Sequence, residues 1–199
     1  MTEKRAIRTQ VLDARRAMPP EEVAGKSRAI VDRLRALEAF RKAGHVLTYV
    51  ASKDNEVDTL PLIESLLAQG RPVLVPVAEP GGHLTWSRLG ALSELCPSRF
   101  GILEPQSAFR RPMSPPASGL VLVPGIAFTP NGYRIGYGRG YFDRFLAGFP
   151  GVKVGLAYEL QIIEGFPAEP HDAPVDLVVT ETTVYARADS VPPQDRASS

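Results

Sequence analysis

The segment from Gly132 to Asp143, GYRIGYGRGYFD, contains the residue types that bind phosphate. It has four glycines, two arginines and, at its end, a carboxylate. Glycine adopts positive φ and lets a ligand approach the backbone, so successive amide groups can form a concave anion-binding nest. Arginine suits paired hydrogen bonds to phosphate oxygens. The segment is therefore a candidate phosphate site.

Asp143 belongs in such a site only if a cation accompanies it. A carboxylate repels phosphate, but Mg²⁺ commonly takes one or two carboxylates together with phosphate oxygens. The glycine spacing, G-x-G-x-G, is neither a Walker A loop nor a dinucleotide-binding fingerprint. A glycine-rich turn with solvated arginines is the alternative, and the residues by themselves favour phosphate binding without excluding that turn.

The elements on either side of the segment would place it at the edge of a sheet. GLVLVPGIAF, just before it, is apolar on both faces, as in a central parallel strand. YFDRFLAGF, just after it, has the pattern of a short helix. Ligands of such sheets bind beyond the carboxyl ends of the strands, and a helix N-terminus attracts anions. The sequence thus predicts the glycines at a ligand-binding edge.

The rest of the chain alternates apolar strands with amphipathic helices. Predicted helices lie in TEKRAIRTQVLDARRAM, PPEEVAGKSRAIVDRLRALEAF and VDTLPLIESLLAQG, and predicted strands in HVLTYVA, PVLVPVA, HLTWSRL, VKVGLAY, VDLVVTE and TVYAR. This order indicates an α/β fold of three layers, α/β/α, with a mostly parallel central sheet in a single domain over residues 1–189. We expect a proline-rich irregular surface loop at 97–116 and a disordered tail at 190–199.

Composition narrows the class of protein. A chain of 199 residues with 44% hydrophobic content suits one domain with a full core. A net charge of +1 gives no reason to expect a nucleic acid or an anionic membrane as partner. Cys96 is the only cysteine, so neither an internal disulfide nor a cysteine-cluster metal site can form. We expect a cytoplasmic protein, a monomer or small homo-oligomer, with small-molecule substrates.

LVLVPGIAFTPNGYRIGYGRGYFDRFL resembles the signature of the 5-formyltetrahydrofolate cyclo-ligase family, in which a strand and PG-x-x-F precede G-x-R-x-G-x-G-x-G-Y-Y-D. Four further segments resemble that family in the same order. They are KRAIRTQVLDARRAMPPEE, the loop SKDNEVDT, the loop FGILEP and the closing VGLAYELQIIEGFPAEPHDAPVDLVVTE. The resemblance covers most of the chain.

The resemblance implies an ATP- and Mg²⁺-dependent enzyme that converts 5-formyltetrahydrofolate into 5,10-methenyltetrahydrofolate and releases ADP and phosphate. In the family's scheme the formyl oxygen attacks the γ-phosphate of ATP. N10 of the folate then closes the ring as phosphate leaves. Such a reaction needs no protein nucleophile, and it depends on alignment of the reactants and on neutralisation of developing charge.

The resemblance also implies roles for particular residues. An ATP site would comprise Lys4, Arg8, Arg134, Gly136, Tyr137, Gly138, Arg139, Gly140, Tyr141 and Phe142. Folate would be bound by Glu56, Arg8 and Tyr141, and Mg²⁺ by Asp143 and Asp172. Arg134, Arg139 and Tyr141 would act in catalysis. The chain departs from the family pattern at Phe142, where a tyrosine is usual, and at Arg139, where lysine or glycine is common.

Several of these residues have simpler interpretations without the resemblance. Lys4 and Arg8 would form a solvated basic helix face, and Glu56 would belong to an ordinary polar loop. Asp172 would be a turn residue, and Trp86 a structural one. Three other functions stay open: ATP-dependent chemistry on another amide or formyl substrate, a folate or nucleotide binder without catalysis, and a phosphosugar-isomerase-like enzyme.

Overall fold

The computed structural model describes residues 3–98 and 101–188, so the tail predicted at 190–199 lies outside the described residues. The helices are α1 (Glu3–Arg16), α2 (Pro20–Ala36), α3 (Glu38–Lys42), α4 (Leu60–Ala68) and α5 (Tyr141–Gly148). The strands are β1 (His45–Thr48), β2 (Val73–Ala78), β3 (Leu84–Leu89), β4 (Leu95–Pro97), β5 (Leu103–Pro105), β6 (Gly119–Val123), β7 (Ala127–Phe128), β8 (Arg134–Ile135), β9 (Val152–Leu156), β10 (Leu177–Val179) and β11 (Val184–Ala186).

A mixed sheet of seven strands forms the centre of the described chain. Its order is β11-β10-β9-β6-β1-β2-β3. The five inner strands are parallel to their inner neighbours, and the edge strands β3 and β11 pair antiparallel. Every residue of β6 is buried, as expected for a central strand covered on both faces. The prediction of a mostly parallel sheet is confirmed.

Helices cover both faces of this sheet. Leu120 and Leu122 of β6 belong to one core cluster, which includes residues of α2, α3 and α4. Val121 and Val123 belong to a second cluster, which includes Leu146 of α5. Successive side chains of a strand point to opposite faces, so these two clusters are the two sides of the sheet. The predicted three-layer α/β/α arrangement is confirmed.

Helix α1 packs at the carboxyl edge of the sheet. Its Val11 joins a third core cluster with Ile126, which follows β6, and with residues of the β7–β8 hairpin. Helix α1 also contacts the 3₁₀ turn Glu159–Gln161, which follows β9. Strands β6 and β9 are neighbours, so α1 lies beside their carboxyl ends. Its polar residues are thereby brought to the edge where ligands bind in such sheets.

The prediction of an irregular loop over 97–116 is wrong in part, because this range contains a short strand and a bridge to β3. Strand β5 pairs antiparallel with β4, and Ser87 of β3 forms an isolated bridge with Pro112. A strand of three residues is too short for an alternating pattern to be read, so prolines dominated the prediction. No helix in the described part of the chain is long and apolar enough to cross a membrane.

Candidate active site

A cleft of about 1010 Å³ opens at the carboxyl edge of the sheet. Its walls come from α1, the loop after β1, the segment from β8 into α5, and the turn at 169–174. Every residue that the sequence assigned to the site lines this cleft: Lys4, Arg8, Glu56, Arg134, Gly136, Tyr137, Gly138, Arg139, Gly140, Tyr141, Phe142, Asp143 and Asp172. The structure therefore brings the whole predicted set together.

The glycine segment, residues 136–140, forms one wall of the cleft. Gly138 has φ +89° and Gly140, just before α5, has φ +68°. A Cβ on Gly138 would touch nothing closer than the Arg8 guanidinium at 3.8 Å, so the glycine is required by its backbone and not by crowding. Gly132 differs, because a Cβ there would lie 2.2 Å from the Val175 carbonyl oxygen, and it does not line the cleft.

Arg134 is buried and paired, so the alternative of a turn with solvated arginines does not hold for this residue. Its side chain is 3% exposed, and Nη2 donates to Asp143 Oδ1 at 2.7 Å. Burial lowers the pKa of Arg134, although the nearby charges of Asp143 and Asp172 oppose that shift. An arginine remains charged at neutral pH even so. The pair therefore presents a fixed guanidinium at the cleft.

Lys4 and Arg8 are held by contacts across the cleft and do not form a solvated face. Lys4 Nζ donates to Glu169 Oε2 at 2.8 Å and to Asp172 Oδ2 at 2.7 Å. Burial would lower the pKa of Lys4, but the hydrogen bonds and charges of these two carboxylates raise it. Arg8 Nε donates to the Gly136 carbonyl at 2.8 Å. Helix α1 is thus hydrogen-bonded both to the turn at 169–172 and to the glycine segment.

The loop of residues 52–56, called the substrate loop after the role that the family resemblance implies, forms another wall of the cleft and ends at Glu56. The Ser52 amide donates to Glu56 Oε2 at 3.3 Å. Burial raises the pKa of Glu56, while the charge of Arg15 and that hydrogen bond act in the other direction. Asp54 and Asn55 have φ of 53° and 51°, an uncommon conformation outside glycine. The loop therefore differs from an ordinary solvated loop.

Sequence reasoning missed two arginines that donate hydrogen bonds to segments of the cleft. Arg15, 1% exposed, donates to segments on both walls. It lies seven residues after Arg8 and so shares its helix face, a signal that was available. Arg144 Nε donates to the Gly82 carbonyl at 2.8 Å and Nη2 to the Arg139 carbonyl at 2.8 Å. No sequence pattern marks that second arginine.

Potential metal ligands lie at the turn that follows residue 168. Ligand atoms of Glu169, His171 and Asp172 lie within 4.8 Å of one another, and Asp143 does not belong to this group. Burial would raise the pKa of Asp172, but hydrogen bonds from the Glu169 amide and Lys4 lower it. Asp143 accepts from Arg134 through Oδ1. Carboxylate oxygens of this kind fit Mg²⁺.

Trp86 and Gln161 have structural surroundings, whereas His171 is an exposed residue of the cleft. Trp86 is 3% exposed, and its ring lies 4.9 Å from that of Phe145, so the structural interpretation is confirmed. Gln161 is buried and donates to the carbonyls of Gly125 and Ile126. His171 lies at the cleft, but its side chain is 72% exposed.

A model of the 5-formyltetrahydrofolate cyclo-ligase family matches residues 1–181. The chain belongs to this family. The 5-formyltetrahydrofolate cyclo-ligase of Escherichia coli K12 is 33% identical over 176 residues, which cover 86% of this chain and 96% of that protein. The Haemophilus influenzae protein of the same name is 30% identical over 185 residues, covering 89% and 98%.

Solved structures agree with this membership of the cyclo-ligase family. The 5,10-methenyltetrahydrofolate synthetase of Aquifex aeolicus superposes with a TM-score of 0.81 at 34% identity, covering 95% of each chain. A synthetase from Mycoplasma pneumoniae gives 0.73 at 22% identity, covering 90% of this chain and 99% of that one, and supports the fold alone. The resemblance seen in the sequence and the predicted enzyme class are confirmed. The separate residue roles stay predictions.

Proposed function

We propose that this cyclo-ligase converts 5-formyltetrahydrofolate into 5,10-methenyltetrahydrofolate, consuming ATP with Mg²⁺ and releasing ADP and phosphate. The observation that carries the proposal is the shared cleft. One wall offers positive-φ glycines and cations suited to phosphates, and the other offers the half-buried carboxylate of Glu56. A cleft with both features suits a reaction between a nucleotide and a folate. Family membership supports the same reaction.

The chemistry explains why both substrates must share a cleft. A formamide oxygen is a poor leaving group, so it first attacks the γ-phosphorus, and the bond from phosphorus to the ADP oxygen breaks. N10 then bonds to the formyl carbon and loses its proton, and the oxygen leaves as phosphate. The protein's contribution is to hold the formyl oxygen in line with the γ-phosphate and to neutralise charge.

The phosphates would lie along the glycine segment. Amides near Gly138 and Gly140 and the N-terminus of α5 supply donors for an anion. Arg8 lies beside Gly138, and a Cβ on Gly136 would lie 3.2 Å from Nη1 of Arg134. Arg134, Arg139 and Lys4 would neutralise the negative charge of the γ-phosphate. The ATP site would be completed by Gly136, Tyr137, Tyr141 and Phe142.

The folate would lie against the substrate loop. Glu56 can accept hydrogen bonds from the amino and ring N–H groups of a pterin. Arg8 and the ring of Tyr141 would complete the substrate contacts. The phenylalanine at 142 packs partly into the core clusters and lies 5.9 Å from the Arg134 guanidinium. Phe142 cannot supply the hydroxyl of the tyrosine that the family usually has at this position.

Asp143 and Asp172 would hold Mg²⁺ together with phosphate oxygens. When bound, Mg²⁺ neutralises phosphate charge and orients the phosphate chain. Each carboxylate already has a cationic partner, Arg134 for Asp143 and Lys4 for Asp172. Two carboxylates that share their charge with cations are weak ligands for a metal on their own. We therefore expect Mg²⁺ to bind with ATP and not before it.

A direct assay tests the proposal. Purified protein is mixed with 5-formyltetrahydrofolate, ATP and Mg²⁺, and near-ultraviolet absorbance follows the methenyl product. We expect a rise that disappears when ATP is omitted or EDTA is added. No rise with folded protein, beside an active cyclo-ligase as positive control, would overturn the assigned substrate. ATP consumption would then be screened with other formyl and amide compounds.

A further inference from the structure

The buried guanidinium of Arg15 joins three segments around the cleft. Nε donates to the backbone carbonyl of Asp54 at 2.6 Å, Nη1 to that of Gly125 at 3.0 Å, and Nη2 to the hydroxyl of Tyr137 at 2.8 Å. Asp54 belongs to the substrate loop and Tyr137 to the glycine segment. A buried charge is costly unless its donors find partners. These contacts therefore fix both segments relative to α1.

The hydroxyl of Tyr137 connects the two walls, beside the contact of its ring with Lys53. It accepts from Arg15 and donates to Asp54 Oδ2 at 3.0 Å. Burial and the charge of Glu56 raise the pKa of Tyr137, so the hydroxyl keeps the proton it donates. Asp54 Oδ1 accepts from Arg16 Nε at 2.8 Å. A closed set of hydrogen bonds thus runs from α1 through both walls and back to α1.

The substrate loop depends on this set for its shape. Asp54 and Asn55 both adopt positive φ, a conformation that residues other than glycine keep only where the surrounding contacts hold it. Asn55 Nδ2 donates to the carbonyls of Arg15 and Met18 at 3.0 and 3.1 Å. The next residue is Glu56, whose place in the cleft follows from the same backbone.

We propose that Arg15, Asp54 and Tyr137 form a strut that sets the separation between the phosphate end and the pterin end of the cleft. The Tyr137 hydroxyl is then a positioning group for the reaction between two bound substrates. The proposal rests on the proposed function, since only a reaction between ATP and the folate depends on that separation. A loosened strut leaves each subsite intact but widens the range of distances between formyl oxygen and γ-phosphate. Turnover suffers, and affinity does not.

The variant Tyr137→Phe tests the strut, because it removes one hydroxyl from a side chain that is already 37% exposed. We expect kcat to fall about tenfold. The Kd of 5-formyltetrahydrofolate alone and of ATP alone, measured by calorimetry, should change by less than about twofold. Tyr133→Phe is the matched control, since Tyr133 lies in the same part of the chain but does not line the cleft. Its kcat should equal that of the wild type.

A second variant shows whether the groups act as one unit. Asp54→Asn keeps the shape and tolerates positive φ, but it cannot accept from both Arg16 and Tyr137. We expect a similar loss of kcat in this variant. The double variant with Tyr137→Phe should lose little more kcat than either single variant, because both substitutions remove the same hydrogen bond. Additive losses would contradict the strut.

Other outcomes separate the strut from simpler roles. A higher Kd for one substrate with unchanged kcat would make Tyr137 a contact for that substrate, and a lower Tm with unchanged kcat would make it structural. Hydrogen exchange of amides 52–56, measured without substrates, should be faster in Tyr137→Phe than in Tyr133→Phe. Unchanged exchange would overturn the strut whatever the turnover. A wild-type protein without methenyl product would count against the proposed function only, and exchange would then decide the strut.

Discussion

Two segments at the carboxyl edge of the sheet reach the cleft, and each contains two residues with positive φ. The glycine segment leads from β8 into α5 and has Gly138 and Gly140 in that conformation. The substrate loop leads from β1 towards α4 and has Asp54 and Asn55 instead. The glycines adopt it at little steric cost, whereas Asp54 and Asn55 need hydrogen bonds to hold it.

The difference shows what each segment does with its polar groups. Side chains of Asp54 and Asn55 hydrogen-bond to α1 and to Tyr137, so the loop is fixed by the protein itself. The glycines have no side chains to contribute, and they line a ligand-sized cleft. The substrate loop is therefore held by its own side chains, whereas the glycine segment is held through two of its carbonyls and the hydroxyl of Tyr137.

The largest effect is expected from the carboxylate that follows the glycine segment. Asp143→Asn removes the charge of the proposed metal ligand but keeps an oxygen that can accept from Arg134. We expect kcat to fall at least roughly 100-fold, with a small change in Tm. Asp32→Asn, an exposed site on α2, is the control for loss of one negative charge. Wild-type turnover in Asp143→Asn would refute the metal role.

A smaller effect is expected in the substrate loop. Glu56→Gln exchanges a charged acceptor for a neutral amide, so we expect KM for 5-formyltetrahydrofolate to rise about 30-fold while KM for ATP stays the same. Glu64→Gln, exposed on α4, is the matched control. If only KM for ATP moved, the pterin role would be withdrawn.

The raised pKa of Glu56 sharpens this test. Its protonation removes the charged acceptor at a higher pH than for an ordinary glutamate. On acidification, KM of the wild type for the folate should therefore start to rise earlier than a normal carboxyl would predict. Glu56→Gln should show no such dependence on pH from this group.

Substitution of a glycine should affect nucleotide binding. Gly138→Ala places a Cβ in ordinary van der Waals contact with the Arg8 guanidinium at 3.8 Å, so its cost is that of positive φ, about 1–2 kcal/mol. We expect KM for ATP to rise about tenfold, because the segment shifts to relieve this cost. Gly148→Ala, at the end of α5 with nothing near its Cβ and no positive φ, should behave as wild type. Equal KM values for ATP in Gly138→Ala and Gly148→Ala would contradict a role for the positive φ of Gly138 in nucleotide binding.

The smallest effect distinguishes conformation from hydrogen bonding in the loop. Asn55→Ala loses the bonds to α1 and keeps an unfavourable φ, so urea unfolding should show a loss of about 2 kcal/mol. Asn55→Gly loses the same bonds without that conformational cost, and we expect about 1 kcal/mol. Equal losses would mean that hydrogen bonds alone hold the loop.

The sequence was informative where a pattern is local. The apolar run of β6 and the glycines after it predicted the sheet and the ligand edge, and the spacing of Lys4 and Arg8 predicted a shared helix face. The pairing of Lys4 with Asp172 joins residues 168 positions apart, which no local pattern reveals. The burial of Arg15 opposes the usual preference of arginine, and the two-residue strands β7 and β8 are too short to read.

The long separation of the cleft's contacts has a consequence for how the chain reaches its native state. Lys4 meets Asp172 and Arg8 meets Gly136 only after loops of 168 and 128 residues close. Contacts of such high order form late and slowly, because loop closure costs entropy first. Ligands that bind only the closed form stabilise it by mass action. Ligands that bridge these contacts should therefore raise the stability of the whole fold and not only that of the cleft.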